Sequence, residues 1–213
     1  MKVFDGLYAF LWQDFQENNC NTYLIDGATK VLVDPGHGHL FPKVREELGE
    51  IGIAPPMINV VAITHGHRDH CGAAGACCQP ALLAMNQEEY LFSQKRFGSA
   101  LNFPYPDYSL EEGLFMAGEH QFQIISTPGH SPASVCLYWP LRKALFAGDV
   151  IFQDAIGRVD LPGGNGKLLK ESIRMLGSLD VEYLLPGHGD LIVGKEDVLR
   201  NFQRIKDYWF AYL

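Results

Sequence analysis

Apolar positions along the chain follow two rhythms. Short runs at Leu7–Trp12, Asn21–Ile25 and Lys30–Val33, separated by turn residues such as Asp26-Gly27, predict strands in the first third. Leu40, Val44, Leu48 and Ile51 then recur at helical spacing, the buried stripe of an amphipathic helix. Ile58–Thr64 is a largely β-branched apolar run, as expected of a strand covered on both faces. Further strands are expected at Gln121–Ser126, Ser134–Trp139, Ala144–Ala147 and Tyr183–Leu185. A helix fits Lys167–Leu176, with Gly177 as its stop signal. A last helix starts near Lys195 and sets Val198, Phe202, Ile205, Trp209 and Tyr212 on one face, read as core packing. No repeat or long linker interrupts the pattern, so residues 1–213 read as one α/β unit.

Composition narrows the function classes. Asp and Glu number 25 against 17 Lys and Arg, a formal net charge of −8 with no basic run, which argues against nucleic acid. The longest stretch free of Asp, Glu, Lys and Arg, from His120 to Leu141, holds Gln, Ser, Thr, Gly and the prolines Pro128 and Pro132, and does not read as a membrane span. The N-terminus lacks the apolar stretch of a signal peptide. Cys20, Cys71, Cys77, Cys78 and Cys136 are odd in number and show no C-x-x-C spacing. They are expected to be free thiols in a reducing, cytoplasmic setting, packed as small apolar side chains.

The candidate chemistry lies in the histidines. Five of the eight fall in His65-Gly66-His67-Arg68-Asp69-His70, at His130 and at His188. Each place follows a strand candidate and touches a glycine, and Asp149 follows Leu145-Phe146-Ala147-Gly148 in the same way. Side chains at the carboxyl ends of successive strands converge on one rim of an α/β sheet. His65 and His67 point the same way in an extended segment and can bind one ion, with Gly66 leaving the space between them open. Asp69 and His70 can reach another ion once the backbone turns. Imidazole and carboxylate suit Zn²⁺, and also Fe or Mn. His37 and His39 suit a turn or a supporting role, His120 a surface or strand-end position. The aromatic segment Tyr90 to Tyr108 reads equally as groove lining or as an ordinary hairpin or helical flap.

The pattern His65-x-His67-x-Asp69-His70, followed by His130, Asp149 and His188, resembles the metallo-β-lactamase superfamily over nearly the whole chain, and Asp34 matches its upstream supporting Asp. The resemblance implies a four-layer αβ/βα sandwich with the metals at one edge between two sheets. It implies that His65, His67 and His130 bind one of two divalent ions, that Asp69, His70 and His188 bind the other, and that Asp149 bridges them. Flavodiiron members place Glu where His67 stands, and nuclease members carry extra domains or arms. A finer resemblance, in Gly148-Asp149-Val150-Ile151-Phe152 and Gly157-Arg158-Val159-Asp160-Leu161-Pro162-Gly163-Gly164, is to the short bacterial glyoxalase II-like proteins.

That resemblance implies hydrolysis of a small-molecule thioester of the S-lactoylglutathione class by a metal-bridging hydroxide. Asp69 would orient the hydroxide, and Asp34 a histidine ring. Longer glyoxalase II enzymes add a helical domain that helps hold glutathione. About one helix follows His188 here, so the glutathione portion is expected to contribute little. A mononuclear-iron persulfide dioxygenase, using His65, His130 and Asp149, is the rival chemistry. A lactonase and a non-catalytic metal-binding module complete the alternatives. Arg158 either clamps a substrate carboxylate or ties its loop down through Asp160, the second being the expectation adopted. Cys71, beside His70, is expected to pack rather than ligate.

Overall fold

A computed structural model describes residues 1–14, 16–75, 80–98 and 103–213. The first half supplies strands β1 (Lys2–Phe4), β2 (Leu7–Phe10), β3 (Thr22–Ile25), β4 (Val31–Val33), β5 (Val60–Ile63) and β6 (Leu82–Met85), which form one six-stranded sheet in sequence order. The second half supplies β7 (Gly113–Ala117), β8 (His120–Ser126), β9 (Val135–Trp139), β10 (Ala144–Gly148), β11 (Tyr183–Pro186) and β12 (Ile192–Val193), in the order β12-β11-β10-β9-β8-β7. Five α-helices accompany them among the described residues: α1 (Phe41–Glu50), the single turn α2 (Arg68–Cys71), α3 (Gln87–Phe97), α4 (Gly166–Leu176) and α5 (Lys195–Tyr208).

Strand alternation builds the layers. In the first sheet Tyr23, Ile25, Val31, Val33, Val60 and Ala62 pack inward against Phe122, Ile124, Val135, Leu137 and Phe146 of the second sheet. Their sequence neighbours Leu24, Leu32, Val61 and Ile63 face outward and are covered by Phe41, Val44 and Leu48 of α1. On the far side Cys136, Leu145, Ala147 and Leu184 meet Leu169, Ile173 and Leu176 of α4 and Val198 and Ile205 of α5. Burying each such Leu or Ile contributes about 1.5–3 kcal/mol. The result is helix, sheet, sheet, helix: the expected four-layer αβ/βα sandwich.

Every predicted strand and helix is present, with ends shifted by a residue or two. Four short strands (β1, β6, β7, β12) and helices α2 and α3 come in addition. The stripe of α5 holds at Val198 and Ile205, which are buried, but not at Tyr212, which is 71% exposed. The helix ends at Tyr208 and a tighter 3₁₀ turn over Trp209–Ala211 changes the rotation per residue, so the helical spacing no longer applies. His120 opens β8 as a strand-end residue, yet it is buried rather than on the surface, its Nε2 2.8 Å from the Thr29 carbonyl. Cys20, Cys71 and Cys136 are buried free thiols, whereas Cys77 and Cys78 lie outside the described residues. Among the described residues no helix is long and apolar enough to cross a membrane.

Candidate metal centre

Four strand ends deliver the site. β8 and β10 are both antiparallel to β9, and β10 is parallel to β11, so β8, β10 and β11 all run the same way. The chain leaving β8 presents His130, that leaving β10 presents Asp149, and that leaving β11 presents His188. From the first sheet, β5 runs into His65 and His67, and α2 carries Asp69 and His70. Asp34 follows β4, which is parallel to β5.

The side chains converge in three groups whose ligand atoms lie within 4.8 Å of one another: His65, His67 and His130; His65, His70 and Asp149; Asp69, His70 and His188. His67 Nδ1 lies 2.8 Å from His130 Nε2 and 3.1 Å from His65 Nε2. His188 Nε2 lies 3.4 Å from Asp69 Oδ2. Asp149 reaches both ends: its Oδ2 is 3.4 Å from His130 Nε2 and from His188 Nε2, and its Oδ1 is 3.2 Å from His70 Nε2.

A second layer of hydrogen bonds turns the rings. His70 Nδ1 lies 2.9 Å from Asp34 Oδ2, and the same oxygen accepts the Thr64 hydroxyl at 2.7 Å. Thr64 Oγ1 is in turn 3.1 Å from His65 Nδ1, so one carboxylate sets two rings, one directly and one through a hydroxyl. Asp34 itself adopts φ +49, a left-handed conformation that Asp tolerates better than most residues. His130 Nδ1 lies 2.8 Å from the Arg158 carbonyl. With Nδ1–H donated in each case, the Nε2 lone pairs of His65, His70 and His130 face the centre.

His70 Nε2 and Asp149 Oδ1 are both buried without a hydrogen bond. Two lone-pair acceptors 3.2 Å apart require a positive charge between them, either a ring proton or a metal ion. The electrostatics agree. Burial alone would lower the His70 pKa, but Asp149 and Asp34 override it and raise it well above the usual histidine value. Burial together with neighbouring rings pushes His65 well down and His67 to about 4, which keeps those rings neutral and able to ligate. Burial would raise Asp69 and Asp149, yet the surrounding histidines hold both below the usual carboxylate range. The donors present therefore fit a cluster of divalent cations.

Several features lay beyond the sequence reading. Glu89 on α3, 1% exposed, accepts the Gly66 N–H at 3.0 Å and the Ala133 N–H at 2.8 Å, and also bonds the Ser131 hydroxyl. It thus pins the loop of His65 and His67 to the loop of His130. Asn18 Nδ2 donates to Asp69 Oδ2 at 2.6 Å. Gly66 is held close to α3 as well, where a Cβ would run into Ser93 and the Glu89 carbonyl. Gly187 is held close to the centre, where a Cβ would collide with Asp149 Oδ1 and with His70 Cε1.

A cavity of about 530 Å³ opens on the cluster and is lined by Phe97, Phe152, Arg68, Arg96 and Arg158 among others. Arg158 makes a two-pronged bond to Asp160, 2.8 and 2.7 Å, so its guanidinium ties its own loop as expected. The aromatic segment does both things foreseen for it. Phe97 lines the cavity, while Tyr90 packs on Phe103 and Tyr105; residues 99–102 lie outside the description. His39 bonds Glu17 at 2.7 Å and the His37 carbonyl accepts the Leu40 N–H at 3.1 Å, so both stand at a turn, the first of the roles expected of them. Cys71 packs in the core under α1.

The sequence profile of the metallo-β-lactamase superfamily matches residues 16–188. The chain belongs to that superfamily. A probable metallo-hydrolase of Methanocaldococcus jannaschii is 32% identical over 80% of this chain and 88% of its own. The hydroxyacylglutathione hydrolase GloC of Haemophilus influenzae is 29% identical over 84% and 90%. Among solved structures, the BLEG-1 B3 metallo-β-lactamase covers 96% of this chain and 99% of its own at TM-score 0.76 and 26% identity. A protein solved in a di-iron-bound form covers 97% and 100% at TM-score 0.72 and 27% identity. The fold, the His/Asp cluster and these relatives make this metallo-β-lactamase superfamily member a metal-dependent hydrolase.

Proposed function

We propose that the protein hydrolyses a thioester of the S-lactoylglutathione class. His65, His67 and His130 hold one divalent ion, Asp69, His70 and His188 hold the other, and Asp149 lies between. The observation that carries this reading is the reach of Asp149 to ring nitrogens of both groups, at 3.2 to 3.4 Å. Likeness to GloC supports the choice of thioester. Zinc suits the nitrogen and oxygen donors best, while iron, present in one solved neighbour, and manganese share the same chemistry.

Bound divalent ions supply Lewis acidity toward a carbonyl oxygen and lower the pKa of water to about 7. The protein's own part is orientation. Asp34 fixes His70 directly and His65 through Thr64, so the ligand nitrogens do not reorganise during turnover. Asp69, held ionised by its histidine neighbours and bonded by Asn18, offers an oxygen that accepts a hydrogen bond from the attacking water and holds it in line. Phe97, Phe152, Ile156 and Leu161 give the cavity an apolar wall suited to the hydrocarbon part of a small organic substrate.

Metal analysis of the purified protein, with parallel assays of thioester cleavage and persulfide-dependent oxygen uptake, tests the reading. Two metals per chain with thioester turnover is the expected result, and Asp149→Ala is expected to abolish nearly all of it. One iron per chain with oxygen uptake would replace it by the dioxygenase chemistry.

A further inference from the structure

The metal-ligand cluster borders two cavities of unlike charge. The first, described above, carries Arg68, from α2, and Arg96, from the last turn of α3, beside Asp69 and Asp149 of the cluster itself. The second, of about 660 Å³, adjoins it at Asn18 and His188 and is lined by Trp12, Asp14 and Asp190, with no Lys or Arg. Of the three arginines in the first cavity, Arg158 is already committed to Asp160. Arg68 and Arg96 make no ion pair among the described residues. Phe15 and residues 76–79 and 99–102, outside the description, include no Asp or Glu to supply one. Arg96 rests over the Phe97 ring at 5.2 Å, which leaves its N–H groups free to donate. On a chain with net charge −8, two arginines without carboxylate partners lining one catalytic cavity are a site for an anion.

We propose that Arg68 and Arg96 form an anion-recognising pair, so that the substrate is an acyl compound with a carboxylate on the arm entering their cavity and an uncharged arm beside Trp12. The proposal rests on the thioester reading for the bond that is cut, but the charge selection does not depend on it. The guanidinium fork matches a carboxylate with two parallel N–H···O bonds. Asp14 and Asp190 repel a carboxylate from the other cavity, so the same charges that attract the substrate also fix which way round it lies.

Two matched pairs of probes test this on the zinc-loaded protein. S-lactoyl-N-acetylcysteine and S-lactoyl-N-acetylcysteamine differ only by a carboxylate and report KM. Their unreactive counterparts S-benzyl-N-acetylcysteine and S-benzyl-N-acetylcysteamine report Kd by calorimetry. The wild type is expected to prefer the carboxylate member of each pair. Arg68→Ala and Arg96→Ala are each expected to shrink that preference by about tenfold or more, the loss of a hydrogen bond to a charged group. Arg→Lys at either position should restore only part of it, since the ammonium keeps the charge and loses the fork. A wild type without preference, a preference unmoved by both substitutions, or equal weakening of both members would overturn the proposal. If neither thioester is cleaved, the thioester reading falls, while the two thioether affinities still decide whether the arginine pair selects an anion.

Discussion

The carboxylate of Glu89 accepts the backbone N–H of Gly66 at 3.0 Å, and through that bond helix α3 holds the loop between His65 and His67. Its remaining bonds go to Ser131 and Ala133, beside His130. One buried side chain thus sets the separation of two ligand loops that are 63 residues apart. Glu89→Gln keeps the volume but offers one acceptor oxygen, so an amide NH₂ must face a backbone N–H. The variant is expected to lose about 2–4 kcal/mol of stability, a buried charged network with one member unpaired. Urea unfolding measures that loss, and metal titration should show weaker binding at the three-histidine group than at the group holding His188.

Gly187→Ala tests the crowding at the centre. A methyl group there must displace Asp149 or the His70 ring. Activity is expected to fall by about 10²-fold, the effect of a ligand shifted by about 1 Å, with the circular dichroism spectrum unchanged. Gly49→Ala is the contrast. Gly49 sits inside α1 with nothing within 4 Å of a Cβ, and the substitution should stabilise the protein by up to about 1 kcal/mol.

Metal uptake should release protons. In the metal-free protein burial alone would lower the His188 pKa, but Asp149 and Asp69 override it and raise it to about 9. At neutral pH this ring is therefore protonated and must lose its proton to ligate. Apparent metal affinity is expected to climb as pH rises toward about 9. Proton release on metal addition in weakly buffered solution checks this, and His188→Ala should reduce it.

Alkaline stability should depend on the buried thiols. Burial pushes the Cys136 thiol from 9.0 up to about 12. Below about 9 both folded and unfolded chains keep the proton, and the full stability is present. Above it the unfolded chain ionises while the folded one cannot, so stability falls until the pH passes about 12. Cys136→Ala should flatten the decline in urea midpoint between pH 9 and pH 11, measured under reducing conditions.

The candidate metal-binding residues were legible because they gather at breaks in rhythm, where an apolar strand gives way to a glycine-containing turn that carries His or Asp. Strand exits are local in sequence, and their convergence follows from the sheet. Glu89 was not legible. It bonds to backbone N–H groups, which every non-proline residue carries, and nothing in the sequence links position 89 to positions 66 and 133. Asn18 was hidden in the same way, as one amide in a polar loop. Strand β7 escaped because Gly113–Ala117 offers only a short alternation at a sheet edge, with Leu114 and Met116 exposed. The four apolar residues of β6 are too few to separate a buried strand from a helix segment. The helical spacing that found α5 could not report where the helix tightens, and so misplaced Tyr212.

The turn that carries His188 is fastened to the opposite end of the chain. Asn21 Nδ2 and Tyr23 Oη both donate to the Pro186 carbonyl, at 3.1 and 2.6 Å, across 165 and 163 residues. Contacts of that separation close late, because the entropy of ordering the intervening chain must be met first. A nascent polypeptide still lacking residue 188 already carries His65, His67, His130, Asp69 and His70, but the second group is one member short. Completion of the second group therefore waits on contacts that join positions 21 and 23 to position 186.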